Sequence, residues 1–315
     1  MKVRLEIFLK ICYKGFVEIQ NLFFIITMEK IFEIENNLIK IKNCDEFDIE
    51  HILECGQIFT YEKKGDDFVV FSNDYVAKIT KVKDTYLIAS NNAQYFVNFF
   101  DLNTDYNQIK QQVAKILTDN KFDIDIQEMF KFGNGIRILK QSFCETVIGF
   151  MISANNNIPR IKKSMQYIRK NLGEKKCFEN TEYYTFPSLQ TLSEQNEYFF
   201  ESAGCGYRAK SLVSTIKILQ NSNFDELSKL DTPSLKNILL SYSGIGPKVA
   251  DCILLFCFGR MDVFPVDTWV KKVYFDLYKQ CPNEKIMAKT LVDTFGRYAG
   301  YAQQYMFYYK RNKKV

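Results

Sequence analysis

The stretch Leu239-Leu240-Ser241-Tyr242-Ser243-Gly244-Ile245-Gly246-Pro247-Lys248-Val249-Ala250-Asp251 runs a helix end, a tight Gly-x-Gly turn and a second helix opening on proline in immediate succession. Proline suits a first helical turn because the amide it lacks would have no partner there. Such a turn aims consecutive backbone N–H groups outward. Without side chains on Gly244 and Gly246, a phosphate can approach those donors and the positive end of the following helix. Taken alone, the turn is also readable as an ordinary αα corner in which glycine only supplies a positive φ.

Downstream, the helix read over Val249 to Phe258 is apolar almost all round, which puts it at the centre of a helical region with Lys248 at its mouth. Val263-Phe264-Pro265-Val266-Asp267-Thr268-Trp269-Val270 then sets Asp267 to cap a further helix and turn its carboxylate to backbone N–H groups. A lysine attacks only as the neutral amine. The helix dipole, which opposes an added positive charge, and the apolar helix behind Lys248 both favour that form.

Upstream the period changes. From Met28 to about Ser90 it is two, as in Ile39-Lys40-Ile41-Lys42, Phe68-Val69-Val70-Phe71 and Tyr75-Val76-Ala77-Lys78-Ile79-Thr80, with turn clusters at Lys64-Gly65-Asp66-Asp67 and Ser72-Asn73-Asp74. This pattern predicts an antiparallel sheet with one wet face. After Thr104 the residues Ile109, Val113, Ile116 and Leu117 fall on one helical face, and helices are expected from there on. Thr232 followed by Pro233 reads as an N-cap and first helical residue, and Gly204 and Gly206 lie between helices. The tail Lys310-Arg311-Asn312-Lys313-Lys314 is expected to fray.

Composition narrows the function classes. An apolar content of 47% excludes a disordered chain. The balance of 42 basic against 37 acidic residues, a net charge of +5, permits a polyanionic partner without requiring one. Nine cysteines at irregular spacing and a single histidine, His51, argue against a zinc site, a disulfide framework and histidine catalysis, and fit a reducing cytosol. Within residues 1–27, charges leave Leu22 to Ile26 as the longest clean apolar run, too short for a signal core or a membrane span. Met28 reads as an ordinary domain start, so residues 1–27 are read as an extension from an over-extended start site, dispensable for folding and activity.

The order Gly-x-Gly-Pro-Lys and then Pro-Val-Asp resembles the helix-hairpin-helix glycosylases that carry a Gly/Pro-rich loop and an aspartate, the HhH-GPD superfamily. The resemblance implies that Lys248 attacks C1′ of a deoxyribose, releases the base, forms a Schiff base and promotes β-elimination, while Asp267 stabilises positive charge on the sugar. Relatives that remove thymine glycols or mispaired adenine carry four clustered cysteines near the C-terminus for an iron-sulfur cluster, and nothing after Cys281 is cysteine here. Relatives acting on alkylated bases generally lack the lysine.

Four further segments, in the same order, resemble 8-oxoguanine DNA glycosylase and extend the likeness from about residue 30 to 309. Cys55-Gly56-Gln57-Ile58-Phe59 resembles the family's Gly-Gln-x-Phe, which implies that the Gly56 carbonyl accepts from N7–H of the lesion, where guanine presents an acceptor. Tyr298-Ala299-Gly300-Tyr301-Ala302-Gln303-Gln304-Tyr305-Met306-Phe307 resembles its last helix. There Gln303 would read the Watson–Crick edge, with Phe307 stacking on one face of the base and Cys252 on the other. Asn155-Asn156-Asn157-Ile158-Pro159-Arg160 and Gly206-Tyr207-Arg208-Ala209-Lys210 imply that Asn155 and Tyr207 fill the gap left by the flipped base, while Arg160 and Arg208 contact the orphaned cytosine. One departure is Trp269, where family members often place a phosphate-contacting histidine two residues after the aspartate.

The expected architecture is therefore α+β: an extension at 1–27, an N-terminal antiparallel β-sheet domain at 28–130, and a mostly helical HhH-GPD glycosylase region at 131–315 with the helix-hairpin-helix at 232–258. The expected activity is that of a bifunctional glycosylase and AP lyase on double-stranded DNA containing 8-oxoguanine, preferentially opposite cytosine. No cofactor, metal or membrane is expected. The chain is expected to be a cytoplasmic monomer, nucleoid-associated in a bacterial cell.

Overall fold

The computed structural model describes residues 31–42 and 44–313, so the extension read at 1–27 lies outside the described residues. The chain opens with β1 (Phe32–Glu35), β2 (Leu38–Ile41), α1 (Ile49–Glu54), β3 (Tyr61–Lys64), β4 (Asp67–Ser72), β5 (Tyr75–Val82), β6 (Thr85–Ser90) and α2 (Ala93–Phe99). Next come α3 (Tyr106–Asp119), α4 (Ile126–Phe132), α5 (Phe143–Ser153), α6 (Ile158–Leu172), the hairpin β7 (Lys175–Phe178) and β8 (Thr181–Tyr184), α7 (Leu189–Ser193) and α8 (Glu197–Ser202). The last elements are α9 (Ala209–Gln220), α10 (Phe224–Ser228), α11 (Thr232–Leu240), α12 (Pro247–Phe256), α13 (Thr268–Tyr278), α14 (Glu284–Phe295) and α15 (Ala299–Asn312).

The six-stranded sheet runs β1-β2-β6-β5-β4-β3, and every neighbouring pair is antiparallel. Its register aligns the apolar residues of one face: Ile39 opposes Ile88, Ile88 opposes Ile79, and Ile79 opposes Phe68. Since side chains alternate, this one register buries a whole ladder against α1 and α2, where Ile52, Leu53, Phe96 and Phe100 complete the core. The other face is not uniformly wet as the period suggested. The β7–β8 hairpin returns from the helical region, and its Tyr183 covers Val69, Phe71 and Val76.

A buried arginine ties the sheet to the helices. Arg137 is fully buried, yet its guanidinium donates to the carbonyls of Phe100 (3.1 Å), Glu46 (2.9 Å), Asp101 (2.6 Å) and Thr104 (2.7 Å) and lies over the Tyr106 ring. Among the described residues no carboxylate pairs with it, and the backbone carbonyls that meet its donors offset the desolvation of the charge. Beyond it, α3 and α4 pack with α13, α14 and α15 in a separate apolar cluster around Val113, Val270, Leu291 and Tyr305. The segment 106–132 thus shares its core with the C-terminal helices.

Two local readings are corrected. The N-cap of α11 is Asp231, which accepts from the Ser234 amide at 2.9 Å, so Thr232 and Pro233 both lie inside the first turn. The basic tail does not fray before Asn312. Lys310 pairs with Asp276 at 2.7 Å and Lys313 with Glu128 at 2.6 Å, which fastens α15 to α13 and α4.

Candidate active site

The helix-hairpin-helix is made by α11 and α12, and a chain of tight contacts shapes its turn. Gly244 has φ +81°, and a Cβ there would lie 2.7 Å from the Ser211 Cβ on α9. Gly246 caps α12 with its α-carbon facing open space, and its amide and that of Gly244 donate to nothing among the described residues. Gly244→Ala is therefore expected to cost about 1–3 kcal/mol of stability, from the positive φ and the overlap together. Gly246→Ala meets no atom and is expected to weaken DNA binding without a comparable loss. Denaturant midpoints and duplex affinities of the two variants check this contrast.

Lys248, in the first turn of α12, is half-buried. Its ammonium stands 5.5 Å from the centroid of Phe150 on α5, and its charge acts on the Cys252 thiol one turn along. Burial pushes the Cys252 thiol up to about 11 against the lowering pull of Lys248, so this sulfur stays a protonated, apolar wall at neutral pH. Asp267 caps α13 as its position implied, one carboxylate oxygen accepting from the amides of Trp269 and Val270, both at 2.9 Å. It forms no ion pair among the described residues. On the same helix, Lys272 holds its ammonium 4.3 Å from the centroid of the Trp269 ring, the residue that departs from the family's histidine.

Two more of the predicted residues lie on α15. Gln303 and Phe307 share a face, and Gly300 at the start of the helix would place a Cβ 2.5 Å from Leu255 Cδ1, so α15 meets α12 closely here and a larger residue would make the leucine shift. Gln303 is buried, and its side-chain oxygen has no hydrogen-bond partner among the described residues. Such an orphan is costly unless something brought into the site satisfies it.

Gly56 sits against the same helix. It has φ +84°, and a Cβ on it would lie 3.6 Å from Phe307 Cε1. The neighbouring carbonyls are all engaged: Glu54 accepts from Arg311, Cys55 from Gln304 at 3.1 Å, and Gln57 from Gln141 at 2.7 Å. The Gly56 carbonyl accepts nothing among the described residues. Gln57, fully buried, donates to the carbonyls of Ile52 (2.9 Å) and Arg137 (2.8 Å) and accepts from the Leu139 amide (2.8 Å), fixing the loop on both sides.

The remaining predicted residues form a separate cluster. Asn155, at the turn between α5 and α6, takes φ 49°, and Tyr207, 72% exposed in the short turn between α8 and α9, donates its hydroxyl to the Ala154 carbonyl at 3.4 Å. Arg208 donates to the carbonyls of Ala154 (2.8 Å from Nε, with a second bond from Nη2), Asn155 (2.8 Å) and Cys205 (3.2 Å). Most of its donor capacity is spent on holding the Asn155 turn. Arg160, in the first turn of α6, is exposed, and its guanidinium has no partner among the described residues.

Sequence reasoning assigned nothing to Gln57, Phe150, Gln304 or Arg311. Gln57 lay within a quoted motif, but two of its partners, the Arg137 carbonyl and the Leu139 amide, are about eighty positions away in the chain, which no local pattern reveals. No metal-binding group of three or more His, Cys, Asp or Glu side chains occurs among the described residues, and no described helix is long and apolar enough to cross a membrane.

Comparison with known proteins gives a consistent set of relatives. The family described as 8-oxoguanine DNA glycosylase, N-terminal domain, matches residues 39–147. Among solved structures, the 8-oxoguanine glycosylase/lyase of Clostridium acetobutylicum, in complex with double-stranded DNA containing cytosine opposite 8-oxoG, is 33% identical with a TM-score of 0.82, covering 90% of this chain and 98% of that one. An N-glycosylase/DNA lyase of Arabidopsis thaliana is 33% identical over 221 residues, 64% of this chain and 60% of the relative. That of Saccharomyces cerevisiae is 35% identical over 153 residues, 44% of this chain and 41% of the relative. The match thus spans less than two thirds of the plant and yeast proteins.

Proposed function

This chain belongs to the 8-oxoguanine DNA glycosylase/lyase family, and from that premise we propose that it excises 8-oxoguanine from duplex DNA and then cleaves the strand through a Schiff base on Lys248. One observation carries the substrate: the Gly56 carbonyl is left without a donor between three engaged neighbours, on a loop pinned by Gln57 and against the Phe307 ring. An acceptor held there rewards a base with N–H at position 7 and meets the lone pair of guanine unfavourably. Gln303 supplies an orphaned amide oxygen for the Watson–Crick edge, and the protonated Cys252 and the Phe307 ring serve as the two faces.

The chemistry follows from the side chains around the sugar. The neutral amine of Lys248 forms a bond to C1′ as the bond from C1′ to the base breaks, and the carboxylate of Asp267 stabilises the positive charge that develops on the sugar. Ring opening gives the protonated imine. Loss of a proton from C2′ then expels the 3′ phosphate, which is the lyase step. The open amides at Gly244 and Gly246 suit the DNA backbone beside the lesion.

Preference for cytosine rests on Arg160, whose donors are open, more than on Arg208, whose donors are engaged with the 154–155 turn. Cytosine offers two adjacent acceptors, O2 and N3, whereas adenine offers N1 beside a donor amino group. A lost charged hydrogen bond costs about 1.5–3 kcal/mol, roughly 10- to 150-fold in rate where it is felt in the transition state. Excision opposite cytosine is expected to exceed that opposite adenine by at least about tenfold, and Arg160→Ala to shrink the ratio mainly by slowing the cytosine case. Single-turnover excision from duplexes differing only in the opposite base measures this. The lesion assignment is tested with the same assay on duplexes carrying 8-oxoguanine, thymine glycol or an alkylated adenine; faster release of either of the last two would replace it.

A further inference from the structure

Arg311 lies one turn beyond Phe307 on the face of α15 that also carries Gln303. The guanidinium is half-buried. Nη2 donates to the Glu54 carbonyl, and the central carbon stands 5.2 Å from the Phe307 ring centroid and 5.7 Å from that of Tyr308. Nη1 comes within 3.0 Å of the place a Cβ on Gly56 would occupy. Among the described residues Nη1 has no acceptor, and no carboxylate pairs with the group. An unspent charged donor therefore sits against Gly56, the residue whose carbonyl is also unspent.

We propose, resting on the function assigned above, that Arg311 is a specificity-determining residue: it donates through Nη1 to the C8 carbonyl oxygen of the flipped base while the Gly56 carbonyl accepts from N7–H. Oxidation at C8 converts that edge of guanine into a cyclic amide, a donor directly beside an acceptor. A backbone carbonyl next to a guanidinium N–H is the two-point complement of such an edge. Guanine offers a lone pair at N7 and only C–H at C8, so it would oppose the carbonyl and leave a desolvated charged donor without an acceptor, an outcome costlier than a missing neutral bond. The Glu54 carbonyl matters because it holds the planar group in place before the base arrives, and little side-chain freedom is left to lose on binding.

The test uses the full chain with Lys248→Gln, so that no base is released, and measures affinity for duplexes carrying 8-oxoguanine, guanine or a tetrahydrofuran abasic analogue opposite cytosine. Adding Arg311→Met is expected to weaken binding of the 8-oxoguanine duplex by about tenfold or more and to leave the other two unchanged. Equal weakening of all three would make Arg311 a phosphate contact, and no weakening would make it only a tether of Glu54; either result overturns the proposal. Should the methionine variant melt early, Arg311→Lys keeps the charge but cannot reach Glu54 and O8 at once, and the same selective loss is expected. If the Arg311-containing chain itself does not prefer 8-oxoguanine over guanine, the lesion assignment fails first and this proposal falls with it.

Discussion

Lys248→Gln binds a duplex containing 8-oxoguanine, excises no base and leaves the strand intact. Glutamine keeps most of the side-chain volume beside Phe150 and Cys252, so the fold and the base pocket should survive the exchange. What is lost is the Lys248 amine, and with it both the covalent intermediate and the lyase step. The expected fall in single-turnover excision is at least about four orders of magnitude, the scale on which losing a nucleophile is felt. Gel separation of product strands before and after alkali distinguishes loss of excision from loss of strand cleavage alone. Excision retained with cleavage lost would make water the attacking group and Lys248 merely the lyase residue.

Asp267→Asn is the second large effect. Asparagine caps a helix as well as aspartate does, so the bonds to the amides of Trp269 and Val270 and the start of α13 should persist. The negative charge beside the sugar is removed. Losing one preorganised charge-stabilising group typically costs about 10²–10³-fold in rate, and that is the expected drop in excision, with duplex affinity and melting temperature near those of the parent. Asp267→Ala is expected to lose the same factor and about 1 kcal/mol of stability besides, since the cap goes too. Comparing the two variants by single-turnover kinetics and thermal melting separates the capping role from the electrostatic one.

What could be read in advance follows the range of the physical signals. Ile39-Lys40-Ile41-Lys42 and Tyr75 to Thr80 announce their strands because one face is buried and the other is not, a local alternation that survives in the sequence. The β7–β8 hairpin escaped notice because Lys175 to Tyr184 has four-residue strands, a weak alternation and a turn at Glu179-Asn180, both with positive φ, that lacks glycine. Its burial comes from distant Phe71 and Val76. Asp267 was legible as a cap and Lys248 as the residue after a glycine turn, since both depend on chain neighbours. Arg137, Gln57 and Arg311 act through carbonyls remote in sequence, and nothing local marks them. The misplaced cap at Thr232 shows the limit even of local reading, because Asp231 is an equally good capping residue one position earlier.

The measurement that tests the account most directly is borohydride reduction during turnover of a duplex with 8-oxoguanine opposite cytosine. A Schiff base becomes a stable secondary amine on reduction, so the account predicts a covalent protein–DNA complex whose digestion yields a crosslinked peptide modified at Lys248, and none with a guanine–cytosine duplex or with Lys248→Gln. Excision without any crosslink, or a crosslink mapped to another lysine, would contradict it.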